Sequence, residues 1–142
     1  MPDINEFNRS IIEEFRANEG RVGGPFDGTP VLLLSTTGAR TGQPRTTPVV
    51  YMPDGERMII FASKAGAPQN PAWYHNLVAN PHATVEVGTE TVPVEAEVLT
   101  GEERDRYFRR QADRYPIFDD YAGKTSRTIP VIALERSSEP AA

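Results

Sequence analysis

The chain opens with apolar residues at helical spacing. Over residues 3–18 they recur three or four positions apart, which places on one helical face Ile4, Phe7, Ile11, Ile12 and Phe15. Glycines and a proline between residues 20 and 28 end the pattern. We interpret this helix as a cover for the core. Its polar side carries glutamates, which anionic lipid would repel, and a peripheral membrane contact is left open.

Short apolar runs separated by turn residues predict six strands in the rest of the chain. These runs are 31–35, 46–52, 58–62, 83–87, 91–99 and 129–134. Turn residues at 53–55 and 88–90 join the second strand to the third and the fourth to the fifth as hairpins. Val92, Val94, Ala96 and Val98 alternate with polar residues in the fifth strand, so we expect one wet face there, and Pro93 indicates an edge or a bulge.

Two further helices interrupt the strands. The first is expected to start with Asn70 as its N-cap and to end at Asn80, and the second to start with a capping box at 100–103 and to continue to about residue 114. Hairpin-linked strands with few helices predict a mainly β fold, a small antiparallel barrel. No strand–helix alternation or GxGxxG motif supports a Rossmann sheet.

We expect a single domain over 1–142. Its parts would be an N-terminal helix at 1–20, the barrel at 30–135 and a disordered tail at 136–142.

Composition removes several classes of function. The chain of 142 residues has no cysteine, which excludes disulfides, thiolate nucleophiles and Cys-ligated metals. Its two histidines lack ligand spacing, so no metal is expected. A net charge of −5 argues against nucleic-acid binding. Without a long apolar run or a secretory h-region, a cytoplasmic protein is expected.

Positive charge gathers around the first hairpin. The loop between the first two strands holds Arg40 and Arg45, whose guanidinium groups suit phosphate or carboxylate. Arg45 begins the second strand and Ser63 and Lys64 follow the third, so all three should lie at one end of that hairpin. No acid falls between residues 28 and 53, which favours an anionic ligand. The alternative is a polar surface loop whose arginines pair with distant glutamates.

Aromatic residues stand beside this region. Trp73 lies at the start of a helix, whose free N–H groups favour anions, and its indole could wall a flat ring. The alternative is an ordinary core tryptophan. Tyr115, Phe118 and Tyr121 fall three apart after the next helix, where they are either core residues or a wall of the site. His75 is read as a surface histidine.

Three motifs carry a family resemblance. The segments 37–45 (TGARTGQPR), 62–66 (ASKAG) and 70–77 (NPAWYHNL), followed by Asn80-Pro81 and 128–131, resemble the deazaflavin-dependent nitroreductases and F420H2-dependent quinone reductases of actinobacteria. The similarity covers roughly residues 30–135. It implies a split β-barrel of the flavin-reductase type that binds coenzyme F420, a 5-deazaflavin with a phosphate and a polyglutamate tail. It also implies hydride transfer to a quinone or nitroaromatic acceptor.

The resemblance also implies roles for individual residues. The cofactor-binding positions are Ala39, Arg40, Thr41, Arg45, Thr46, Thr47, Pro48, Val49, Val50, Ala62, Ser63, Lys64, Ala72, Trp73, Tyr74 and Asn76. The tail would be held by Arg40, Thr41, Arg45 and Lys64. Catalysis would involve Tyr115 and Tyr121, which can hydrogen-bond the acceptor oxygen, with Ser63 orienting the acceptor or ring. Phe118 would line the substrate space. The family often has a basic residue at position 39 and a tyrosine at position 118.

Two rival interpretations stay open. One is an FMN-dependent oxidase or reductase on the same barrel. The other is a non-catalytic F420-binding protein. The protein is expected to be a monomer or a homodimer.

Overall fold

The structure, a computed structural model, describes residues 4–23, 30–55, 57–63, 66, 69–125 and 128–137, with side chains from residue 8 onward. The described elements are α1 (Ile4–Ala17), β1 (Val31–Thr37), β2 (Pro44–Asp54), β3 (Arg57–Phe61), α2 (Ala72–Ala79), β4 (His82–Val87), β5 (Glu90–Leu99), α3 (Gly101–Arg114), α4 (Ile117–Lys124) and β6 (Val131–Arg136). All six predicted strands are present, with ends that differ by up to two residues. The strands are antiparallel and close into a barrel in the order β1-β2-β3-β6-β5-β4. The predicted mainly β, split-barrel fold is confirmed.

The barrel interior is built by every second residue of the strands, as the period of a β-strand requires. Side chains that fill it include Leu32, Leu34, Met58, Ile60, Val85, Val94, Ile132 and Leu134. The intervening residues point outwards, and helices cover those of β1, β3 and β6. Ile11 and Phe15 of α1 pack on the outer side chains of β1, which confirms the interpretation of this helix as a cover for the core.

A second outer layer covers β3 and β6. Phe108 of α3 and Phe118 of α4 pack there against Phe61 and Val131. Helix α1 also contacts β2, but the outer face of this strand is incompletely covered, and Thr46 and Pro48 on it are only half-buried. This opening positions the candidate site.

Several local predictions are wrong. Helix α4 is not among the predicted elements. Pro116 occupies its cap position, with φ −56° and ψ −19°, where the missing N–H costs no helical hydrogen bond. Pro71, not Asn70, caps α2, and Thr100 caps α3 without the side-chain hydrogen bond of a capping box.

Strand β5 also departs from its expected pattern. Val98 is 40% exposed, because the alternation breaks before Leu99, which is buried under α3. Pro93 pairs with Thr84 in an unbroken register, so it marks neither a bulge nor a sheet edge. Its carbonyl accepts the N–H of Ser137 at 2.9 Å, which continues the pairing of β5 with β6 just past the end of β6.

Two remaining expectations concern the ends and the membrane. Strand β6 reaches Arg136, so the predicted tail begins too early, and residues 138–142 lie outside the described part of the chain. None of the described helices combines the length and apolar character needed to cross a bilayer.

Candidate functional site

A cleft of about 1790 Å³ lies over the outer face of β2. This exceeds the roughly 300–1,000 Å³ typical of a site for one small ligand. Alternate residues of β2 form its floor: Thr46, Pro48 and Val50. One wall is α1, through Asn8, Arg9 and Ile12. The second wall comes from the end of β3 and from the region of α4, and its residues are Phe61, Ser63, Tyr115, Ile117, Phe118 and Tyr121. The β1–β2 loop and the start of α2 close one end of the cleft.

The β1–β2 loop is a tight turn shaped by glycines. The N–H of Gly38 donates to the carbonyl of Gln43 at 2.8 Å, and the N–H of Gly42 donates to the carbonyl of Gly38 at 2.9 Å. Gly42 adopts φ +70°, a conformation that other L residues rarely take. The Thr41 hydroxyl accepts the N–H of Gln43 at 3.2 Å. The turn therefore holds Arg40 at its exposed tip, over the cleft.

Asn76 joins this loop to α2. Its side chain is 8% exposed. Its Nδ2 donates to Oγ1 of Thr36 at 3.0 Å, and its Oδ1 accepts the N–H of Ala39 at 2.9 Å. Both hydrogen-bonding groups of the amide are thus used within the protein. Asn76 lines the cleft, but its observed contacts hold the loop in place.

Three arginines line the cleft and have no acidic partner among the described residues: Arg9, Arg40 and Arg45. Arg40 and Arg45 are exposed, and the structure gives neither an ion pair nor a side-chain hydrogen bond with the described residues. In contrast, Arg16, Arg57 and other arginines away from the cleft do pair with carboxylates. No Asp or Glu is found among the described residues that line the cleft. The site is therefore positive in a chain whose net charge is −5.

Sequence reasoning missed the third arginine, Arg9 of α1. It stands three residues before Ile12, so it lies on the same helical side, and both line the cleft. That spacing was visible in the sequence, but nothing there showed that this side of α1 would face β2. Ser63 and Arg45 line the same cleft, as the hairpin argument predicted. Lys64 lies outside the described residues.

Helix α2 begins at the closed end of the cleft. Its cap residue is Pro71, which makes no side-chain cap hydrogen bond, and its first turn carries no acid. A helix start without an acidic side chain suits a bound anion. Trp73 is 8% exposed: it is a residue of the barrel core that also lines the cleft, and its contact with a flat ring stays a prediction. His75 is exposed and also lines the cleft.

The aromatic wall contains Tyr115, Phe118 and Tyr121. Phe118 is 9% exposed and packs edge-on against Phe61 and Tyr121, with ring centroids 5.6 and 5.4 Å apart. Tyr115 and Tyr121 are half-buried, and neither hydroxyl hydrogen-bonds another residue of the described chain. Both tyrosines therefore line the cleft beside a buried aromatic cluster.

Gly66, in the loop after β3, packs tightly against this wall. Gly66 has φ +80°, and a Cβ there would lie 2.9 Å from the carbonyl oxygen of Tyr121. Its N–H donates to the carbonyl of Ser63 at 2.9 Å. This contact places Ser63 beside α4 and at the edge of the cleft.

Two of the expected site residues do not line the cleft. Ala62 is wholly buried, because its position in the alternation after Met58 and Ile60 directs it into the barrel. Tyr74 packs against the barrel core, on a different side of α2 from His75 and Asn76. The other expected residues with described side chains line the cleft: Ala39, Arg40, Thr41, Arg45, Thr46, Thr47, Pro48, Val49, Val50, Ser63, Ala72, Trp73, Asn76, Tyr115, Phe118 and Tyr121. No group of three His, Asp or Glu within the described ranges could hold a metal ion.

A family model described as F420H2-dependent quinone reductase matches residues 7–136. The chain belongs to this family. An F420H2-dependent quinone reductase of Mycobacterium tuberculosis is 43% identical over 130 residues, which cover 86% of this chain and 85% of the relative. The resemblance read from the three motifs is confirmed at the level of the quinone reductase family.

Solved structures agree with this membership. A structure described as an F420-H2-dependent reductase is 37% identical, with a TM-score of 0.68, covering 75% of this chain and 94% of that one. Another, described as a domain-swapped dimer, is 34% identical with a TM-score of 0.70, covering 93% and 96%. The haem storage protein HutZ of Vibrio cholerae, at 17% identity and a TM-score of 0.59, shares the fold alone; it covers 93% of this chain and 92% of that one. The names of the family members give no support to the FMN alternative.

Proposed function

We propose that this F420H2-dependent quinone reductase family member is an oxidoreductase that reduces a quinone with a hydride from reduced coenzyme F420. The observation that carries the proposal is the set of unpaired arginines in a cleft without acidic lining residues, beside an aromatic wall. A nitroaromatic compound is the second acceptor class. Reduction of a quinone to a hydroquinone takes one hydride and one proton, so the site must bind an anionic hydride donor and deliver a proton.

The residues fit the cofactor implied by the family. Its phosphate and tail carboxylates need several separate cations, and Arg40 and Arg45 supply two at the closed end of the cleft. Neither guanidinium group is paired with a carboxylate of the described residues, so no such ion pair has to break before an anionic tail binds. The start of α2, whose first turn carries no acid, lies at the same end and favours an anion. We therefore assign the tail to this end.

The floor of the cleft suits a flat ring. Thr46, Pro48 and Val50 present a half-buried strand face, and Trp73 and Phe118 border it with apolar surface. Bound there, the cofactor supplies a hydride from its ring. The side chains keep water away from that surface and hold the two rings in one geometry. No metal or covalent nucleophile is needed for this chemistry.

Tyr115 and Tyr121 are the candidate donors to the acceptor. As the acceptor oxygen gains negative charge, a hydrogen bond from a tyrosine Oη stabilises it, and the same Oη or a water can transfer the proton. Ser63, at the edge of this wall, is placed to orient the acceptor or the ring. Phe118 has no hydroxyl to offer, so we expect nitroaromatic reduction to be weaker than quinone reduction.

The test is a binding and turnover experiment on purified protein. Oxidised F420 is titrated by its ring fluorescence, and F420H2 oxidation is followed with a menadione-type quinone. Arg40→Gln and Arg45→Gln should each weaken binding about two- to fivefold, as expected for exposed charge pairs. Arg21→Gln is the matched control, because Arg21 is exposed and does not line the cleft; its affinity should equal that of the wild type.

Two results would count against the proposal. No fluorescence change together with no turnover would refute it. Tight binding without turnover over a broad quinone panel would favour the non-catalytic alternative.

Four other expectations stay predictions: the single-domain boundaries, the cytoplasmic location, the peripheral membrane contact, and the monomeric or homodimeric state. Sedimentation measures the oligomeric state.

A further inference from the structure

Among the described charged residues that line the cleft, Arg9 is the one to which binding of the cofactor tail assigns no role. It lies on the α1 wall, is exposed, and has no ion pair or side-chain hydrogen bond within the described residues. Asn8 and Ile12 line the cleft from the same helix, and Ile12 is half-buried against the outer face of the barrel. Arg9 therefore carries a free guanidinium group at the rim of the cleft, above an apolar contact.

The position of Arg9 differs from that of the other two arginines. Arg40 and Arg45 belong to the loop and strand start that close one end of the cleft, whereas Arg9 belongs to a long wall. The opposite wall presents Tyr115, Ile117 and Tyr121, none of which is charged. A molecule stacked on a ring that lies on β2 would be bounded by these two walls. Among the described wall residues, Arg9 is the cation that such a molecule meets.

The apolar parts of the walls indicate the rest of that molecule. Ile117 is 50% exposed, on the cleft side opposite Ile12. Two isoleucines and two tyrosines suit a flat apolar ring, and a guanidinium group at the rim suits a carboxylate or a sulfonate. The C-terminal half of α1 is anchored to the barrel by the buried Phe15, and Arg16 forms an ion pair with Glu86 at 2.8 Å.

We propose that Arg9 gives this enzyme a preference for quinones that carry an anionic substituent. The inference rests on the proposed function and adds a substrate class to it. Arg9 binds the substituent at the rim, while the ring lies between the walls. It acts as a specificity-determining residue, and the electron and proton transfers are unchanged by its removal.

The test compares two acceptors in three proteins. Menadione and 1,4-naphthoquinone-2-sulfonate share a ring system and differ in charge. In Arg9→Gln, kcat/KM for the sulfonate should fall about two- to fivefold, the effect of one exposed charge pair, while kcat/KM for menadione stays at the wild-type value. Arg21→Gln, the same change at an exposed arginine outside the cleft, should alter neither value. Each variant is compared with the wild type on the same acceptor, so the different reduction potentials of the two quinones do not affect the comparison.

Two further readouts separate a charge effect from a structural one. Arg9→Lys should restore part of the sulfonate activity. About 0.5 M NaCl should shrink the difference in kcat/KM for the sulfonate between wild type and Arg9→Gln. The reason is that the guanidinium–sulfonate pair is exposed and salt screens it. Each of these results supports the proposal, and a salt-independent loss that lysine does not restore overturns it.

The failures are distinguishable. If Arg9→Gln lowers kcat/KM equally for both acceptors and weakens F420 binding, Arg9 binds the cofactor and the proposal is overturned. If Arg9→Gln changes nothing, the proposal is likewise overturned while the proposed function stands. Absence of turnover by the wild-type protein with every quinone overturns both.

Discussion

Asn76→Ala should destabilise the protein more than its small size change suggests. The substitution removes the two hydrogen bonds that join α2 to the loop carrying Arg40, at 3.0 Å to Thr36 and 2.9 Å to the Ala39 N–H. Each buried hydrogen bond contributes about 1 kcal/mol, so the free energy of unfolding should fall by about 2 kcal/mol. For a chain of 142 residues, an unfolding entropy of about 2 cal/mol/K per residue converts this to a Tm lower by about 7 °C.

Urea denaturation provides the assay. Trp73 is the single tryptophan of the chain and is 8% exposed, so its fluorescence reports unfolding of the barrel next to Asn76. Asn80→Ala is the matched control: Asn80 ends the same helix, and its Oδ1 accepts one exposed N–H, from His82, at 3.2 Å. The free energy of unfolding of that variant should fall by about 1 kcal/mol or less. Because the loop is also loosened, Asn76→Ala should bind F420 more weakly than the control.

A double-mutant cycle isolates the amide–hydroxyl bond. Thr36→Val removes the hydroxyl that Asn76 contacts, and the pair should show a coupling of about 0.5–1.5 kcal/mol. If Asn76→Ala and Asn80→Ala differ by less than about 0.5 kcal/mol with equal m-values, the amide does not hold the loop and the reasoning is refuted.

Three further predictions follow from single positions. Gly66→Ala should cost at least about 1 kcal/mol more than Gly55→Ala in urea denaturation, because both have positive φ but only the Cβ at residue 66 meets a backbone oxygen, that of Tyr121 at 2.9 Å. Tyr121→Phe should lower kcat with quinone about tenfold or more while leaving the Kd for F420 unchanged, and equal kcat values would remove Tyr121 from the chemistry. The hydrogen bond to Asp54 and burial raise the pKa of Tyr107 above its usual 10.0. The stability gained from neutral Tyr107 is therefore present below pH 10 and is lost as pH rises through its raised pKa. The stability difference between wild type and Tyr107→Phe should shrink over that range in urea titrations, and a constant difference would contradict the pKa shift.

The sequence alone determined the strands and the main motif of the site. Apolar runs and turn residues are local features, so the six strands followed from the sequence. Residues 31–34 are all apolar, however, and only the closed barrel decided that Leu32 and Leu34 face its interior. The turn between β2 and β3 fixed their antiparallel pairing, and this was enough to place Arg45 and Ser63 at one end. Both residues line the cleft because hairpin geometry is local.

Only the tertiary structure decided how the walls of the cleft are formed. Arg9 lies 31 residues before Arg40 in the sequence, and the packing of Phe15 on the outer face of β1 is what brings α1 beside β2. Helix α4 was missed because a proline reads equally well as the end of one helix or the start of the next. Tyr74 was misplaced because the sequence does not show which side of α2 meets the barrel. Such choices depend on which apolar faces remain to be buried once the strands have closed, and that is a property of the whole chain.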